Sequence, residues 1–143
     1  MNEMKLSFLS RLENEAFART SVVAFLMPLN LTQEALMEVK TMLAEAVVNA
    51  MIHGYENTIG TINVSVAYDD TCIYMKIEDQ GCGIEDIEQA MKPLYTSKEH
   101  LEGSGMGMTI MQAFSDEFQV LSKPQGGTCV KITKLIRHEP AKQ

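Results

Sequence analysis

Glu45, Asn49 and His53 are spaced four residues apart in a segment with the apolar pattern of a helix. Residues four apart on an α-helix stay on nearly one face, since each step drifts by only about 40°. The three side chains are therefore predicted to form one polar stripe. The amide oxygen of Asn49 suits Mg²⁺, and the Glu45 carboxylate, one turn earlier, could accept a proton from a hydroxyl group. A solvated polar face would show the same spacing, and for His53 a capping or packing role is favoured over catalysis.

A second group follows a predicted strand and reads Asp79-Gln-Gly81-Cys-Gly83. Glycines at the end of a strand let a ligand approach the backbone closely. A carboxylate at this position can accept a hydrogen bond from an exocyclic amine such as that of adenine. Many ordinary turns carry the same residue types, so this pattern taken alone is weak evidence for a binding site.

A third group, Gly103-Ser104-Gly105-Met106-Gly107, stands directly before a predicted helix. Backbone N–H groups of a glycine loop that leads into a helix form an anion site, and phosphate is the obvious anion. The spacing is not the Walker pattern, which needs Lys and Ser or Thr after its last glycine. It is also not the dinucleotide fingerprint, which should follow the first strand of a βαβ unit.

The first half of the chain is predicted to hold the elements that position the first group. Thr32 is the expected N-cap of a helix that runs to about His53, with Gly54 as its C-cap. The apolar stripe of this helix contains five residues: Leu36, Val39, Leu43, Val47 and Ala50. Before it, we expect a strand over Met4 to Phe8 and a helix over Asn14 to Met27, which Pro28 ends.

Alternating apolar residues predict a β-hairpin after this helix, with strands over Ile62 to Tyr68 and Ile73 to Ile77 and a turn at Asp69-Asp70. The rest of the chain is expected to contain, in order, a short helix over Glu85 to Met91, an irregular mobile loop over about 92–107, a helix over Met108 to Phe114, strands over Glu117 to Ser122 and Thr128 to Leu135, and a frayed tail after Arg137. The fold class expected from this order is α/β (α+β), a two-layer sandwich with a mixed sheet covered on one face by helices.

Length and composition limit the class of protein. With 143 residues, of which 45% are hydrophobic, the chain fits one globular domain. The net charge of −7 argues against direct binding of nucleic acid or of an anionic membrane surface. Cys72, Cys82 and Cys129 are far apart and form no CxxC pair, so reduced thiols in the cytoplasm are expected. Neither a signal peptide nor a membrane span is predicted, and the expected localisation is cytoplasmic.

The order of the three groups is more specific than any one of them. A helix with Glu and Asn, then DxGxG after a strand, then GxGxG before a helix resembles the Bergerat-type ATP-binding fold of gyrase, sensor histidine kinases and MutL-type repair proteins. The resemblance implies that Asn49 binds Mg²⁺ and that Asp79 contacts adenine. It also implies further nucleotide contacts from the following residues: Gly81, Gly83, Ser104, Gly105, Met106, Gly107 and Thr128.

Within that superfamily, the chain resembles the stand-alone serine kinases that double as anti-sigma factors, above all those of the sporulation sigma factor sigma-F. Four segments carry this resemblance and together span nearly the whole chain: Asn14 to Arg19, Glu45 to Tyr55, Pro93 to Lys98 and Ser104 to Thr109. It implies a homodimer that binds sigma in an ATP- or ADP-dependent way. It also implies that an anti-anti-sigma factor is phosphorylated on serine with Mg-ATP.

The same resemblance implies roles for individual residues. Glu45 would be the general base, and Thr96 and Lys98 would belong to a lid over the phosphates. Arg19 would lie on the surface that binds sigma and its antagonist, although by its residue type alone Arg19 is better explained as an exposed helix charge without a function. Gly103 departs from the pattern, because a basic residue is expected there; the missing cation could slow phosphoryl transfer.

Two alternatives stay open at this point. The first is the sister anti-sigma kinase of the general stress sigma factor, whose site motifs are the same. The second is a sigma-binding module in which nucleotide only controls affinity and catalysis is vestigial; Gly103 is the feature that favours it.

Overall fold

The computed structural model describes residues 1–56, 58–82, 107–123 and 126–138. Over these ranges the chain forms three α-helices and five β-strands. In chain order they are β1 (Asn2–Leu9), α1 (Asn14–Leu26), α2 (Gln33–Asn49), β2 (Thr61–Tyr68), β3 (Cys72–Asp79), α3 (Gly107–Phe114), β4 (Glu117–Lys123) and β5 (Gly127–Leu135). The helix predicted over Glu85 to Met91 and the loop predicted over 92–107, apart from Gly107, lie outside the described residues.

The five strands form one sheet in the order β1-β2-β3-β5-β4. Every neighbouring pair of these described strands is antiparallel, so the prediction of a mixed sheet was wrong in this respect. One crossover helix between neighbouring strands makes them parallel. Here two helices in succession separate β1 from β2, and short connections join β2 to β3 and β4 to β5, so the chain re-enters the sheet in the opposite direction each time.

The strand registers sort the side chains into two faces. Val64 lies opposite Leu6 and Ile77, and Ile77 lies opposite Val130, so one apolar row crosses four strands on one face. The helices cover this face, and the predicted stripe of α2 is buried against it at every position except the half-buried Leu36. Residues of the other face, including Lys76 and Lys131, are half-buried or exposed. The α/β fold class with helices on one face of the sheet is thereby confirmed.

Helix α2 begins as predicted and ends differently. Thr32 is its N-cap, and the Thr32 hydroxyl accepts a hydrogen bond from the Ala35 N–H at 3.0 Å. A π-helical turn, Ala50–Gly54, follows Asn49, and in it the Tyr55 N–H donates to the Ala50 carbonyl at 3.1 Å. Gly54 is not a left-handed C-cap, since Gly127 is the glycine with positive φ in the described part of the chain.

A buried ion pair connects the sheet to two helices. Lys134 of β5 is 1% exposed, and its ammonium group donates to Glu38 Oε1 of α2 at 2.9 Å and to the Phe114 carbonyl of α3 at 2.8 Å. The charged group therefore has two acceptors inside the core, as a buried charge requires. Its contacts attach the C-terminal end of α3 to α2 and β5.

No helix among the residues that the structure describes is long and apolar enough to cross a membrane.

Candidate nucleotide-binding site

The C-terminal half of α2 brings the first predicted group against the start of α3. Glu45 and Asn49 are half-buried on α2, and Gly107 is the buried first residue of α3. A Cβ atom placed on Gly107 would lie 2.8 Å from Asn49 Nδ2 and 2.9 Å from Glu45 Oε2. The first and third groups of the sequence are therefore in contact, and a side chain at position 107 would displace the ends of the Asn49 and Glu45 side chains.

Burial raises the pKa of Glu45 above that of a solvated glutamate. A carboxylate with a raised pKa is a stronger base once it is ionised, which suits proton abstraction from a hydroxyl group. The partial burial also explains the direction of the shift, because the charged form of the carboxylate loses hydration inside the protein.

The π-helical turn after Asn49 changes the position of His53. A π turn contains more residues than an α turn, so His53 does not continue the α-helical step that joins Glu45 to Asn49. The spacing predicted that three side chains form one polar stripe. In the structure, two of them, Glu45 and Asn49, lie on α2, and His53 lies in the π turn. The turn instead directs backbone carbonyls to the DxGxG segment: Cys82 donates from its N–H to the Gly54 carbonyl at 2.9 Å and from its thiol to the His53 carbonyl at 2.9 Å.

Asp79 is the last residue of β3 and is 6% exposed. Its Oδ1 accepts a hydrogen bond from the Gly81 N–H at 2.8 Å. A Cβ atom on Gly54 would lie 2.9 Å from the same oxygen, and one on Gly81 would overlap the Gly54 carbonyl. Gly54 and Gly81 are therefore needed for the close approach of the π turn to the end of β3. The role predicted for Gly81, to let a ligand approach the backbone, stays a prediction.

Thr128 of β5 borders Asp79 on the other side. The two residues are partners in the antiparallel ladder, and the Thr128 backbone donates a hydrogen bond to the Asp79 carboxylate. The Thr128 hydroxyl is 2.9 Å from the Ser122 hydroxyl of β4. The preceding Gly127 has a φ of +86°, and a Cβ atom there would overlap the Asp79 carbonyl. This glycine lets β5 begin directly beside the buried carboxylate.

Burial raises the pKa of Asp79, and the hydrogen bonds from Gly81 and Thr128 oppose this shift without cancelling it. A buried carboxylate that accepts backbone hydrogen bonds keeps unused acceptor capacity on its oxygens. It can therefore bind an amine N–H of a ligand strongly, because few water molecules compete there.

The site has two ends of different chemistry. Asp79, Gly81 and Thr128 form one end, with a buried acceptor for an N–H group. Glu45, Asn49 and the N-terminus of α3 form the other, with oxygen ligands and helix N–H groups that suit a metal-bound phosphate. Within the described ranges no three His, Cys, Asp or Glu residues cluster as a metal site. The Asn49 amide oxygen could serve as one protein ligand of Mg²⁺, which usually keeps several waters and substrate phosphates.

The structure places six predicted site residues in two groups, the first formed by Glu45, Asn49 and Gly107 and the second by Asp79, Gly81 and Thr128. Six others lie outside the described residues: Gly83, Thr96, Lys98, Ser104, Gly105 and Met106. Arg19 lies on the exposed side of α1, with its Nε 3.6 Å from Glu15 Oε1 one turn earlier.

Residues that the sequence analysis did not select also contribute to the site. The Tyr55 hydroxyl accepts a hydrogen bond from the Gln80 N–H at 2.7 Å, directly after Asp79. Ser122 reaches Thr128 because β4 and β5 pair in the register that places them opposite each other. Tyr55 ends the segment Glu45 to Tyr55 that carries the family resemblance, but no role was predicted for its side chain.

Comparison with known proteins identifies the family of this chain. Residues 8–134 match the family model described as "Histidine kinase-like ATPase domain". The chain is 48% identical over 141 residues to a protein of Bacillus subtilis named anti-sigma F factor, with 98% of this chain and 97% of the relative covered. It is 49% identical over 135 residues to a protein of the same name from Thermoanaerobacter, with 94% of each chain covered.

Solved structures with low sequence identity share the fold. A crystal structure of the RsbU and RsbW domains of a Mycobacterium tuberculosis protein superposes with a TM-score of 0.68 at 17% identity, covering 98% of this chain and 35% of that one. A histidine kinase domain from Erythrobacter litoralis gives a TM-score of 0.53 at 18% identity, covering 72% of this chain and 45% of that one. In both cases the chain spans less than half of the solved structure.

The family match extends over most of the chain, and it includes every described residue of the two-ended site. The full-length relatives narrow the assignment further. This chain belongs to the histidine kinase-like ATPase domain family and, within it, to the family of anti-sigma F factors.

Proposed function

We propose that this protein is an anti-sigma factor and a protein-serine kinase of sporulation. It binds Mg-ATP, phosphorylates a serine of an anti-anti-sigma factor, and holds the sigma factor sigma-F in an ATP- or ADP-dependent way. It is a cytoplasmic homodimer that contacts neither nucleic acid nor membrane directly. The names of its relatives support the sigma partner, and the family model supports the use of ATP.

One observation carries the kinase assignment: Glu45 lies one helical turn before Asn49, and both side chains border Gly107. A metal ligand, a carboxylate of raised pKa and a helix N-terminus thus surround one small volume. Phosphoryl transfer needs little more than positioning and charge neutralisation there, together with a group that accepts the proton of the attacking hydroxyl.

The roles of the residues follow from this arrangement. Glu45 accepts the proton of the serine hydroxyl as the serine oxygen forms its bond to the γ-phosphorus. The bond between the γ-phosphorus and the β–γ bridging oxygen breaks, and ADP leaves with that oxygen. Asn49 would hold Mg²⁺, which would neutralise phosphate charge. Asp79 holds the adenine amine, and the N–H groups at the start of α3 face phosphate oxygens.

Partner binding is assigned to Arg19. Its guanidinium is exposed on α1 and has only a long contact to Glu15 at 3.6 Å. Because the Arg19 side chain is exposed, its guanidinium is accessible to an acidic group of a partner.

The direct test mixes the purified protein with Mg-ATP labelled at the γ-phosphate and the candidate anti-anti-sigma protein. We expect stable phosphoserine on the partner, and a partner in which the serine is replaced by alanine serves as the control. Labelling of the substrate of the general stress system, with none on the sporulation substrate, would assign the chain to the sister kinase.

The second candidate function is a nucleotide-gated sigma-binding module with vestigial catalysis, and Gly103 favours it because a lid cation is missing there. The affinity for sigma, measured with ATP, with ADP and without nucleotide, separates the two roles. Nucleotide-dependent sigma binding without any phosphorylated partner would favour the module, and equal affinity in all three conditions would contradict nucleotide control.

A further inference from the structure

The hydroxyl group of Tyr55 joins the ends of two neighbouring strands. It donates a hydrogen bond to the Thr61 carbonyl at 2.7 Å and accepts one from the Gln80 N–H at 2.7 Å. Thr61 is the first residue of β2, and Gln80 follows the last residue of β3. A single side chain oxygen therefore bridges two backbone groups of different strands.

These two backbone groups belong to the next step of the β2–β3 ladder. The ladder ends at the pair formed by Ile62 and Asp79, so Thr61 and Gln80 would be the following partners. In a continued ladder the Gln80 N–H would bond to the Thr61 carbonyl directly. The Tyr55 hydroxyl stands between them and satisfies both groups, which separates the end of β3 from β2 without leaving a backbone group unpaired.

The ring of Tyr55 is held in place from two directions. It packs against the hydrophobic core, and it lies over Gly60, where an added Cβ atom would overlap the ring. The tyrosine also follows the π-helical turn directly, so its backbone is fixed by the N–H bond to the Ala50 carbonyl. The hydroxyl thus has a defined position relative to both α2 and the sheet.

Separation of β3 from β2 directs the chain after Asp79 toward α2. Gly81 then donates to the Asp79 carboxylate, and the Cys82 N–H donates to the Gly54 carbonyl. Without the bridge, the Gln80 N–H could return to the Thr61 carbonyl, and the ladder would extend past Asp79. The turn that orients the buried carboxylate would then be lost.

We propose that Tyr55 is a positioning residue for adenine selectivity: its hydroxyl ends the β2–β3 ladder at Asp79 and so aims the Asp79 carboxylate at the exocyclic amine of the nucleotide. The inference rests on the proposed function, because it assigns Asp79 to the amine of ATP. Tyr55 itself touches neither the nucleotide nor the transferred phosphate in this scheme.

The test compares Tyr55→Phe with the unaltered protein by the dissociation constants of ATP and of inosine triphosphate, which carries a carbonyl in place of the amine. We expect Tyr55→Phe to weaken ATP binding about tenfold, as the loss of one well-placed hydrogen bond allows, and to change inosine triphosphate binding less than twofold. The preference for ATP should therefore fall about tenfold.

A matched control is available at the other end of the same hairpin. Tyr74 of β3 donates from its hydroxyl to Asp69 Oδ2 at 2.9 Å, so Tyr74→Phe also removes a hydrogen-bonded tyrosine hydroxyl, but far from Asp79. Tyr74→Phe should keep the affinities for both nucleotides. An unchanged ATP preference in Tyr55→Phe, or an equal loss for both nucleotides, would overturn the role of Tyr55.

Two further outcomes are distinguishable. If the unaltered protein binds no ATP, the proposed function fails and this inference fails with it, whereas intact ATP preference in Tyr55→Phe contradicts the inference alone. If Tyr55→Phe does not fold, amide hydrogen exchange of the unaltered protein tests whether the Tyr55 hydroxyl holds the Gln80 N–H. Slow exchange at Gln80 supports the bridge, and exchange at the rate of an unstructured peptide contradicts it.

Discussion

Asp79 and Thr128 lie directly opposite each other at the end of the β3–β5 ladder, and the Thr128 backbone donates a hydrogen bond to the Asp79 carboxylate. The pair is on the helix-covered face of the sheet, so both side chains are buried. The carboxylate is consequently held by backbone on both sides, from Gly81 and from Thr128, and its orientation does not depend on flexible side chains.

Asp79→Asn should weaken the binding of ATP while the fold is kept. Asparagine has the same shape and still offers an oxygen to the Gly81 N–H, but its NH₂ group cannot accept from an amine. We expect at least a tenfold loss of ATP affinity, measured by equilibrium binding. Glu78→Gln is the control, because Glu78 is the neighbouring residue on the other face of the sheet; a comparable loss there would contradict the specific role of Asp79.

The raised pKa of Asp79 makes stability depend on pH in a defined direction. Its folded pKa lies above the unfolded value, so its contribution to stability is present below the unfolded pKa and is lost as the pH rises through the folded pKa. The free energy of unfolding of Asp79→Asn minus that of the unaltered protein should therefore be larger at about pH 7 than at about pH 4. Urea unfolding of both proteins at several pH values measures this difference, and a difference that is constant with pH would exclude the shift.

Glu45→Gln should separate nucleotide binding from phosphoryl transfer. The amide keeps the size of the side chain but cannot accept the serine proton, so the transfer rate should fall by about 10²- to 10⁴-fold with ATP affinity nearly unchanged. Phosphorylation of the partner and ATP binding are measured on the same preparation. Glu34→Gln, an exposed change in the first turn of the same helix, is the matched control. Transfer at the normal rate in Glu45→Gln would remove Glu45 from the mechanism.

Gly107→Ala should weaken Mg-ATP binding although alanine favours helix formation by about 1 kcal/mol. The new methyl group would meet Asn49 Nδ2 and Glu45 Oε2 at 2.8 and 2.9 Å, so both side chains must move. We expect Mg-ATP affinity to fall at least tenfold, since Mg²⁺ tolerates little distortion of its ligands. Gln112→Ala, an exposed change on the same helix, should have no such effect. Unchanged affinity in Gly107→Ala would show that Asn49 can shift freely.

Lys134→Met should destabilise the protein by about 3–5 kcal/mol, because Glu38 would lose the charged partner with which it is buried. Arg137 stays near Glu38 at 3.8 Å but is half exposed and compensates only in part. Denaturant unfolding measures the change. The double variant Lys134→Met with Glu38→Leu should recover most of the loss, since it removes both buried charges. Lys76→Met at the exposed pair with Glu78 is the control and should change stability by less than about 1 kcal/mol.

The local features of this protein follow from its sequence. The N-cap at Thr32, the apolar stripe of α2 and the hairpin at Asp69 depend on neighbours within a few residues, and the structure contains all three. The same holds for Glu45 and Asn49 on one helix and for Asp79 at a strand end, because helical spacing and strand alternation determine these positions directly.

The relations between distant segments were decided by the tertiary structure. The sequence did not indicate that Gly107 contacts Asn49, that the Tyr55 hydroxyl ends the β2–β3 ladder, or that Lys134 pairs with Glu38. The sequence also suggested a mixed sheet, but every described pair of neighbouring strands is antiparallel. It suggested a helix C-cap at Gly54, but Gly54 belongs to a π turn that approaches Asp79. The physical reason is common to all of them: strand register and helix packing depend on how many groups far apart in the chain fit together at once, whereas caps, turns and amphipathic faces depend on the residues beside them.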